Sequence, residues 1–451
     1  MPEIFGAAVP TPGMPKTCVP WPFDIETSGA ADANQADDIL QNLTATAGYG
    51  RWKWPKRPIV FVSDLHADAE GFLRSLASAG VIQRAEDFSN NFKLTRFGTS
   101  CTIIIGGDCL DKGPSNLDLL DAIKALRDTS ARVKLLAGNH DLRLLLGVRA
   151  LLGPRTPLSE HMFIRMGKKV LPLLREVYDR YVDPKADLDN APDLKACREL
   201  IFPSQDWTTT FPEAAATHLS SSAIAKEVNR LTKKIITFED ASLAAGMDLQ
   251  MLYCAALKCR DLFLRPDGQY AWFYGKMKAV HKSGSLLFVH AGMDDQMSSE
   301  ISNKGPGRLN KLFREQARHD PFTFYSGNVA NMMRTKYRSV DKKLTRSGVE
   351  DLHQAGIKIV IQGHINRHKG QRLKTIKGLL HLEADVTLDR NSRQLEGLDG
   401  IGSGATLIFP DGEIVGISRD FPHAKVFTPR LHLKQPRRPR NIHLEERGQL
   451  T

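Results

Sequence analysis

The 451-residue chain has only six cysteines, Cys18, Cys101, Cys109, Cys197, Cys254 and Cys259, and no two of them form a Cys-x-x-Cys pair. That scatter argues against a zinc ribbon and against a disulfide framework, and it fits a reducing compartment. No unbroken apolar run is long enough to cross a bilayer, so no membrane span is expected. The N-terminus lacks a basic segment followed by an apolar one, so no secretory signal is expected and a cytoplasmic location follows by default. No repeat of fixed period is present. Charged residues at 25% and aromatics at 7% describe an ordinary soluble globular protein.

What is present begins with an excess of positive charge, +11 overall. A basic surface suits nucleic acid, anionic lipid or phosphorylated substrates. Part of the excess sits in Lys434, Arg437, Arg438, Arg440 and Arg447, where Pro436 and Pro439 exclude a regular helix. This tail, 421–451, reads as a solvated, disordered end; a docking arm for nucleic acid or a partner is the alternative. Residues 1–57, rich in proline and then in alanine, read as a flexible leader with a short helix over 37–43. The 58–420 stretch is the expected catalytic domain.

Within that domain, short β-branched runs predict buried strands at 59–62, 102–105 and 133–136. Helices are predicted over 69–79, from a Ser115 cap to 126, and from 142 onward. Strands alternating with helices predict an α/β fold with a partly parallel sheet. The stretch 151–282 has helical periodicity at 170–181, 223–236 and 243–264, and reads as a helical insertion that caps the site. Further strands are predicted at 285–289, 357–361, 379–383, 405–409 and 413–418, the last two joined by a Pro410-Asp411-Gly412 turn.

Five polar clusters each follow an apolar strand directly: Ser63-Asp64-Leu65-His66, Gly106-Gly107-Asp108-Cys109-Leu110-Asp111-Lys112-Gly113, Gly138-Asn139-His140-Asp141, His290-Ala291-Gly292 and Gly363-His364. In α/β sheets, ligands bind where the loops beyond the carboxyl ends of the strands converge. Each residue alone is explicable as turn chemistry; the ordered set is not. If 64–66 is extended, Asp64 and His66 point the same way. A mixture of carboxylate, imidazole and amide oxygen suits Mn, Fe or Zn; it is too rich in nitrogen for calcium and too poor in thiolate for a structural zinc. Two such ions about 3.5–4 Å apart would clamp a phosphate and sharpen a bridging water into a hydroxide nucleophile.

The ordered motifs, of the form DxH, GDxxDRG, GNHD, HAG and GH, resemble those of the calcineurin-like metallophosphoesterases over about 58–420, the insertion apart. The resemblance implies a β-sandwich flanked by helices. It implies two divalent or mixed-valence ions: Asp64 and His66 on the first, Asp108 bridging, and Asn139, His290 and His364 on the second. It also implies His140 as the general acid and Asp111 as the group that orients it. The last motif is Gly363-His364-Ile365-Asn366, without the second histidine of the commoner GHxH form. A single histidine, with GDCLDKG present, resembles the phosphoprotein-phosphatase branch. Asp141, where eukaryotic members generally carry Glu, resembles its bacterial-type relatives.

One position departs from the pattern. Lys112 stands where the family has Arg, a point charge in place of a planar fork. Arg334 is the favoured compensating phosphate ligand, with Arg143 and Arg338 behind it. His161, His218, His281, His353 and His381 have no motif context and read as structural or surface residues. The expected activity is hydrolysis of phosphate monoesters on a phosphorylated protein, at serine/threonine or tyrosine, or on a small phosphoester. A dinucleoside polyphosphate hydrolase of the symmetrical diadenosine tetraphosphate type is the alternative. A non-catalytic or nucleic-acid-binding scaffold is a third reading.

Overall fold

A computed structural model of the chain describes residues 13–21, 30–84, 90–318, 320–334 and 343–433. Arg338 and the basic cluster from Lys434 to Arg447 lie outside the described residues.

The chain enters with β1 (Thr17–Pro20), then a helix, Ala30–Thr46, then β2 (Ile59–Val62). An antiparallel pair, β3 (Ile82–Arg84) and β4 (Phe92–Leu94), precedes β5 (Thr102–Ile105) and β6 (Arg132–Leu136). After a long helical stretch come β7 (Met277–Lys278), β8 (Val280–Ser283) and β9 (Leu286–Val289). The remaining strands are β10 (Ile359–Gln362), β11 (Arg372–Ile376), β12 (Leu379–Glu383), β13 (Gly404–Ile408), β14 (Ile414–Ser418) and β15 (His423–Phe427).

These strands form two large sheets, ordered β1-β15-β14-β13-β2-β5-β6-β7 and β11-β12-β10-β9-β8. Strands β2, β5, β6 and β7 run parallel in the first, and β9, β10 and β12 in the second. The alternation of side chains along a strand explains why the sheets stack. Ile59 and Phe61 of β2 share one core with Leu286 and Phe288 of β9 and with Ile359 and Ile361 of β10. Their neighbours Val60, Val62, Leu287, Val289 and Val360 belong to the other core, under the helices. The rings of Phe61 and Phe288 lie 5.7 Å apart across the sandwich. With both faces covered, these strands read as unbroken apolar runs. The expected β-sandwich flanked by helices is the observed fold.

Some boundaries differ from expectation. Part of the expected leader is in the sheet: Thr17–Pro20 pairs in parallel with His423–Phe427, which lies in the expected tail. Ile39 and Leu43 are fully buried in the inter-sheet core. The sheet therefore extends beyond both 57/58 and 420/421. Strands this short show too little period in sequence to mark themselves. The helix expected from 142 begins three residues earlier, as Asn139–Leu152, with Gly138 as its cap. The insertion is helical from Met162–Met166 to Ala271–Lys276 but ends in β7 and β8. Its expected helix over 243–264 is interrupted at Gly246, whose φ of 73° ends the long helix Ser221–Ala244. No helix among the described residues is long and apolar enough to cross a membrane.

The end of the domain is pinned by Arg393, which is 1% exposed. Its guanidinium binds Asp420 through Nη1 at 2.6 Å and Nη2 at 2.8 Å, and donates to the carbonyls of Thr387 and Asp399. Removing one member of such a buried pair costs about 3–5 kcal/mol. Arg393→Met is expected to lower the melting temperature by several degrees in calorimetry; an unshifted melt would show that the pair contributes nothing.

Candidate active site

The parallel strands bring their carboxyl ends to one edge of the sandwich, and all five polar clusters lie there. The loops after β2 and β5 remain hydrogen-bonded beyond the strands: Asp64 N to Gly107 O at 3.0 Å, His66 N to Asp108 O at 2.9 Å and Ala67 N to Cys109 O at 2.7 Å. The 64–66 segment is not extended, as alternation suggested. Asp64 has φ 56° and His66 φ 41°. Asp108, Asp111, Lys112 and His364 also lie in the left-handed region, at φ 53°, 69°, 73° and 66°. Such conformations cost about 1–3 kcal/mol each in a non-glycine residue. The strain is concentrated on the residues singled out from sequence.

A single carboxylate holds the loops together. Asp141 accepts backbone N–H bonds from Gly138 and Asp108 (both 2.9 Å), Cys109 (2.8 Å) and Leu110 (3.2 Å). Burial, and then the charge of Asp108, push its pKa up to about 7 against those amide donors. The loop approach is so close that a Cβ on Gly138 would stand 2.2 Å from Asp108 N and Oδ1. Likewise a Cβ on Gly363 would meet Asp64 Oδ2 at 2.1 Å.

Asp108 lies at the centre of the cluster. Its Oδ1 accepts from the His140 backbone N–H at 2.8 Å. Its Oδ2 is 3.4 Å from His290 Nε2 and 4.0 Å from both His66 Nε2 and His140 Nε2. His66 Nε2 is also 3.9 Å from Asp64 Oδ1. Two groups of metal-competent side chains emerge, His66–Asp108–His140 and Asp108–His290–His364, and they share Asp108. Ligand atoms each about 2.1 Å from one ion lie at most about 4.2 Å apart, so separations near 4 Å between buried donors fit a shared cation. The Lys112 Nζ lies 2.8 Å from His66 Nε2. The expected phosphate ligand is therefore in contact with an expected metal ligand.

The electrostatics follow from burial and from the density of charge. Burial opposes the ionised Asp108, but His290, His140 and His66 outweigh it and hold the pKa well below the usual carboxylate range. Burial alone would lower the His290 pKa; Asp108 and Asp64 push it up to about 10. Burial, then Lys112, carries that of His66 well below its usual value. The His290 ring is fixed by Nδ1 on Gly106 O at 2.8 Å. Asp64 Oδ2 accepts from Ser63 Oγ at 2.6 Å and from His364 N at 2.8 Å. One end of the Asn139 amide lies 2.9 Å from His364 Nδ1 and 3.2 Å from the Met333 carbonyl.

His140 and Asp111 form the expected pair, Nδ1 to Oδ2 at 2.9 Å, and Arg143 shares the same Oδ2. Asp111 is itself held from the insertion. Its N–H donates to Asn116 Oδ1 at 2.8 Å. Glu176 accepts from Asn116 N and Leu117 N at 2.9 Å, from Asn116 Nδ2 at 2.8 Å and from Ser115 Oγ at 2.9 Å. Arg334, Arg143, Asn139 and His364 line one cavity of about 320 Å³ together with Arg165 and Tyr325. The structure thus gathers all eleven site residues predicted from sequence, though Lys112 faces His66. Sequence reasoning missed Glu176, Asn116, Arg165 and Tyr325, which belong to no motif. It did not single out Asp141 as the residue that joins the loops, although its place three residues after Gly138 is a first-turn acid signal.

The family model for calcineurin-like phosphoesterases matches residues 57–202. This segment is a calcineurin-like phosphoesterase domain. The match supports metal-dependent phosphoester hydrolysis by this segment, and the family implies divalent metal ions. Asp64, His66, Asp108 and Asn139 fall within the matched residues; His290 and His364 lie beyond them. No curated protein matches the chain by sequence. Among solved structures, the chain is similar to a cold-active protein-tyrosine phosphatase of a psychrophilic Shewanella species. Identity is 13%, coverage 83% of this chain and 81% of that one, and the TM-score 0.42. It is also similar to a protein serine/threonine phosphatase from Saccharomyces cerevisiae, at 11% identity, 87% and 88% coverage and TM-score 0.36.

Asp141→Asn would turn an amide NH2 towards backbone donors inside the phosphoesterase domain. Leaving such groups unsatisfied is expected to cost about 1–3 kcal/mol. A thermal melt should fall by several degrees, and the metal content of the purified variant should fall with it. Retention of both would contradict the joining role.

Proposed function

We propose that the chain hydrolyses phosphate monoesters on proteins, at serine/threonine or tyrosine. The observation that carries this reading is the convergence on Asp108. Two metal-competent groups meet on its carboxylate, His140 of the first is bonded to Asp111, and His364 of the second lines a cavity whose charged side chains are arginines, among them the Arg143 that also binds Asp111. In this reading Asp64, His66 and Asp108 hold one ion, and Asp108, Asn139, His290 and His364 the other. The Asn139 amide, one end of which lies 2.9 Å from His364 Nδ1, would offer its oxygen to that ion. When bound, the ions neutralise phosphoryl charge and lower the pKa of a water between them.

The chain's own residues supply the remainder. Arg334 and Arg143 face the cavity and take the phosphoryl oxygens. Lys112, with Nζ 2.8 Å from His66 Nε2, would supply a further positive charge for the phosphate. His140 gives the proton to the leaving oxygen from Nε2, with Nδ1 committed to Asp111. Asp111, held by Asn116 and Arg143, fixes the ring's orientation. No phosphoenzyme forms. A dinucleoside polyphosphate is the second reading, favoured by three arginines around one cavity.

His140→Asn is expected to lower kcat by about 10²–10⁴-fold with metal content intact. Normal turnover by the metal-loaded variant would remove His140 from the mechanism. A panel of phosphoserine, phosphothreonine and phosphotyrosine peptides, an aryl phosphate and diadenosine tetraphosphate decides the substrate. A preference for the dinucleotide by orders of magnitude would overturn the protein-phosphatase reading.

A further inference from the structure

The arginine-lined cavity beside Asn139 and His364 does not end at the site. It shares Met162, Arg165, Tyr325 and Arg334 with a second cavity of about 730 Å³. The helical insertion builds much of the wall of this outer cavity, with His161 to Arg165 and His218 to Arg230; the segment from Phe322 to Arg334 builds the rest. Its charged lining is Arg165, Lys226, Arg230 and Arg334 against one carboxylate, Glu227.

That carboxylate is already committed. Arg165, its side chain 13% exposed, binds Glu227 through Nε and also through Nη2, at 3.2 Å. Arg165 also stacks on the Tyr325 ring, 3.7 Å from its centroid, and Arg334 stacks on the same ring at 4.6 Å. Arg334 Nε has no hydrogen-bond partner among the described residues. Arg230, one helical turn from Lys226 on Ser221–Ala244, approaches Glu227 only at 3.7 Å. Both Lys226 and Arg230 are exposed. Cationic groups therefore continue from the inner cavity, which Arg143 lines, through the shared Arg165 and Arg334, to Lys226 and Arg230 at the surface.

We infer that the outer cavity is a subsite for acidic side chains flanking the phosphorylated residue of a protein substrate. The inference rests on the protein-phosphatase reading for the phosphorylated residue itself. The phosphate ester occupies the inner cavity beside the metals, and glutamates or aspartates of the adjoining segment meet Lys226, Arg230 and the outer edge of Arg334. An open cavity walled by an exposed helix suits a polypeptide that continues into solvent. Opposed charges of this kind raise association rates and set partner choice more than they add raw affinity. The insertion then acts as a specificity wall, beside a chemical centre that it does not supply.

The test compares phosphopeptides that share one phosphorylated residue and differ only in flanking Glu or Ala, with the full chain loaded with metal. At low ionic strength kcat/KM is expected to be about tenfold higher for the acidic series, and the advantage should shrink as salt rises. In Lys226→Glu/Arg230→Glu the acidic-to-neutral ratio should fall to about one or below; as a ratio, it cancels any effect on fold or metals. Equal rates for the two series in the unmodified chain, or an unchanged ratio in the variant, would overturn the subsite. A separate measurement keeps the two readings apart. Anisotropy of a labelled acidic peptide with Ala at the phosphorylated position should report binding that the double variant loses. If no phosphopeptide is turned over, the protein-phosphatase reading fails, and this binding still decides the subsite: loss in the variant upholds it, and no binding by the unmodified chain removes it.

Discussion

The Asp141 carboxylate takes four backbone N–H groups from two loops that leave different strands. Gly138 belongs to the turn after β6, and Asp108, Cys109 and Leu110 to the turn after β5. Amides committed to this carboxylate are unavailable to any other partner. They fix the backbone of Asp108 at a positive φ and, one residue away, the entry of the helix that presents Asn139 and His140. A buried carboxylate with a raised pKa is costly to keep ionised. It is retained where its geometry cannot be reproduced by a neutral group, and here that geometry places the shared residue of both metal-competent groups.

The sandwich supplies the frame for this arrangement. Strand period divides β2, β9 and β10 between the inter-sheet core and the core beneath the helices, so every residue in them is buried. Slipping any one strand by a single residue would exchange its two faces. The parallel strands of both sheets deliver their loops to one edge, and the strain at Asp64, His66, Asp108, Asp111, Lys112 and His364 is borne by that double layer of aliphatic packing.

The insertion contributes at two depths. Glu176 grips the start of the helix Asn116–Arg127, and through Asn116 it reaches the N–H of Asp111, which holds His140. Further out, Arg165 pairs with Glu227 and lays its flat face on Tyr325, and among the described residues Arg334 pairs with no carboxylate. The same element thus braces the His140–Asp111 pair and shapes the charge around the arginine-lined cavity. Neither connection involves a motif residue.

The sequence by itself determined the strand and helix alternation and the polar clusters at the strand ends, because Asp, His or Asn after aliphatic runs is a local pattern; the two-sheet class followed from the resemblance those clusters carry. The contact between His140 and Asp111 was expected from the resemblance that GDCLDKG and GNHD carry. Only the tertiary structure decided that Asp64 and His66 converge through left-handed backbone, that Lys112 turns to His66, and that Asp141 joins the two loops. The same holds for the pairing of Thr17–Pro20 with His423–Phe427 and for the reach of Glu176 and Arg165 into the site. These are contacts between residues far apart in the chain, set by packing and by the need to satisfy buried charge and backbone N–H groups. Neither constraint leaves a period or a spacing in the sequence.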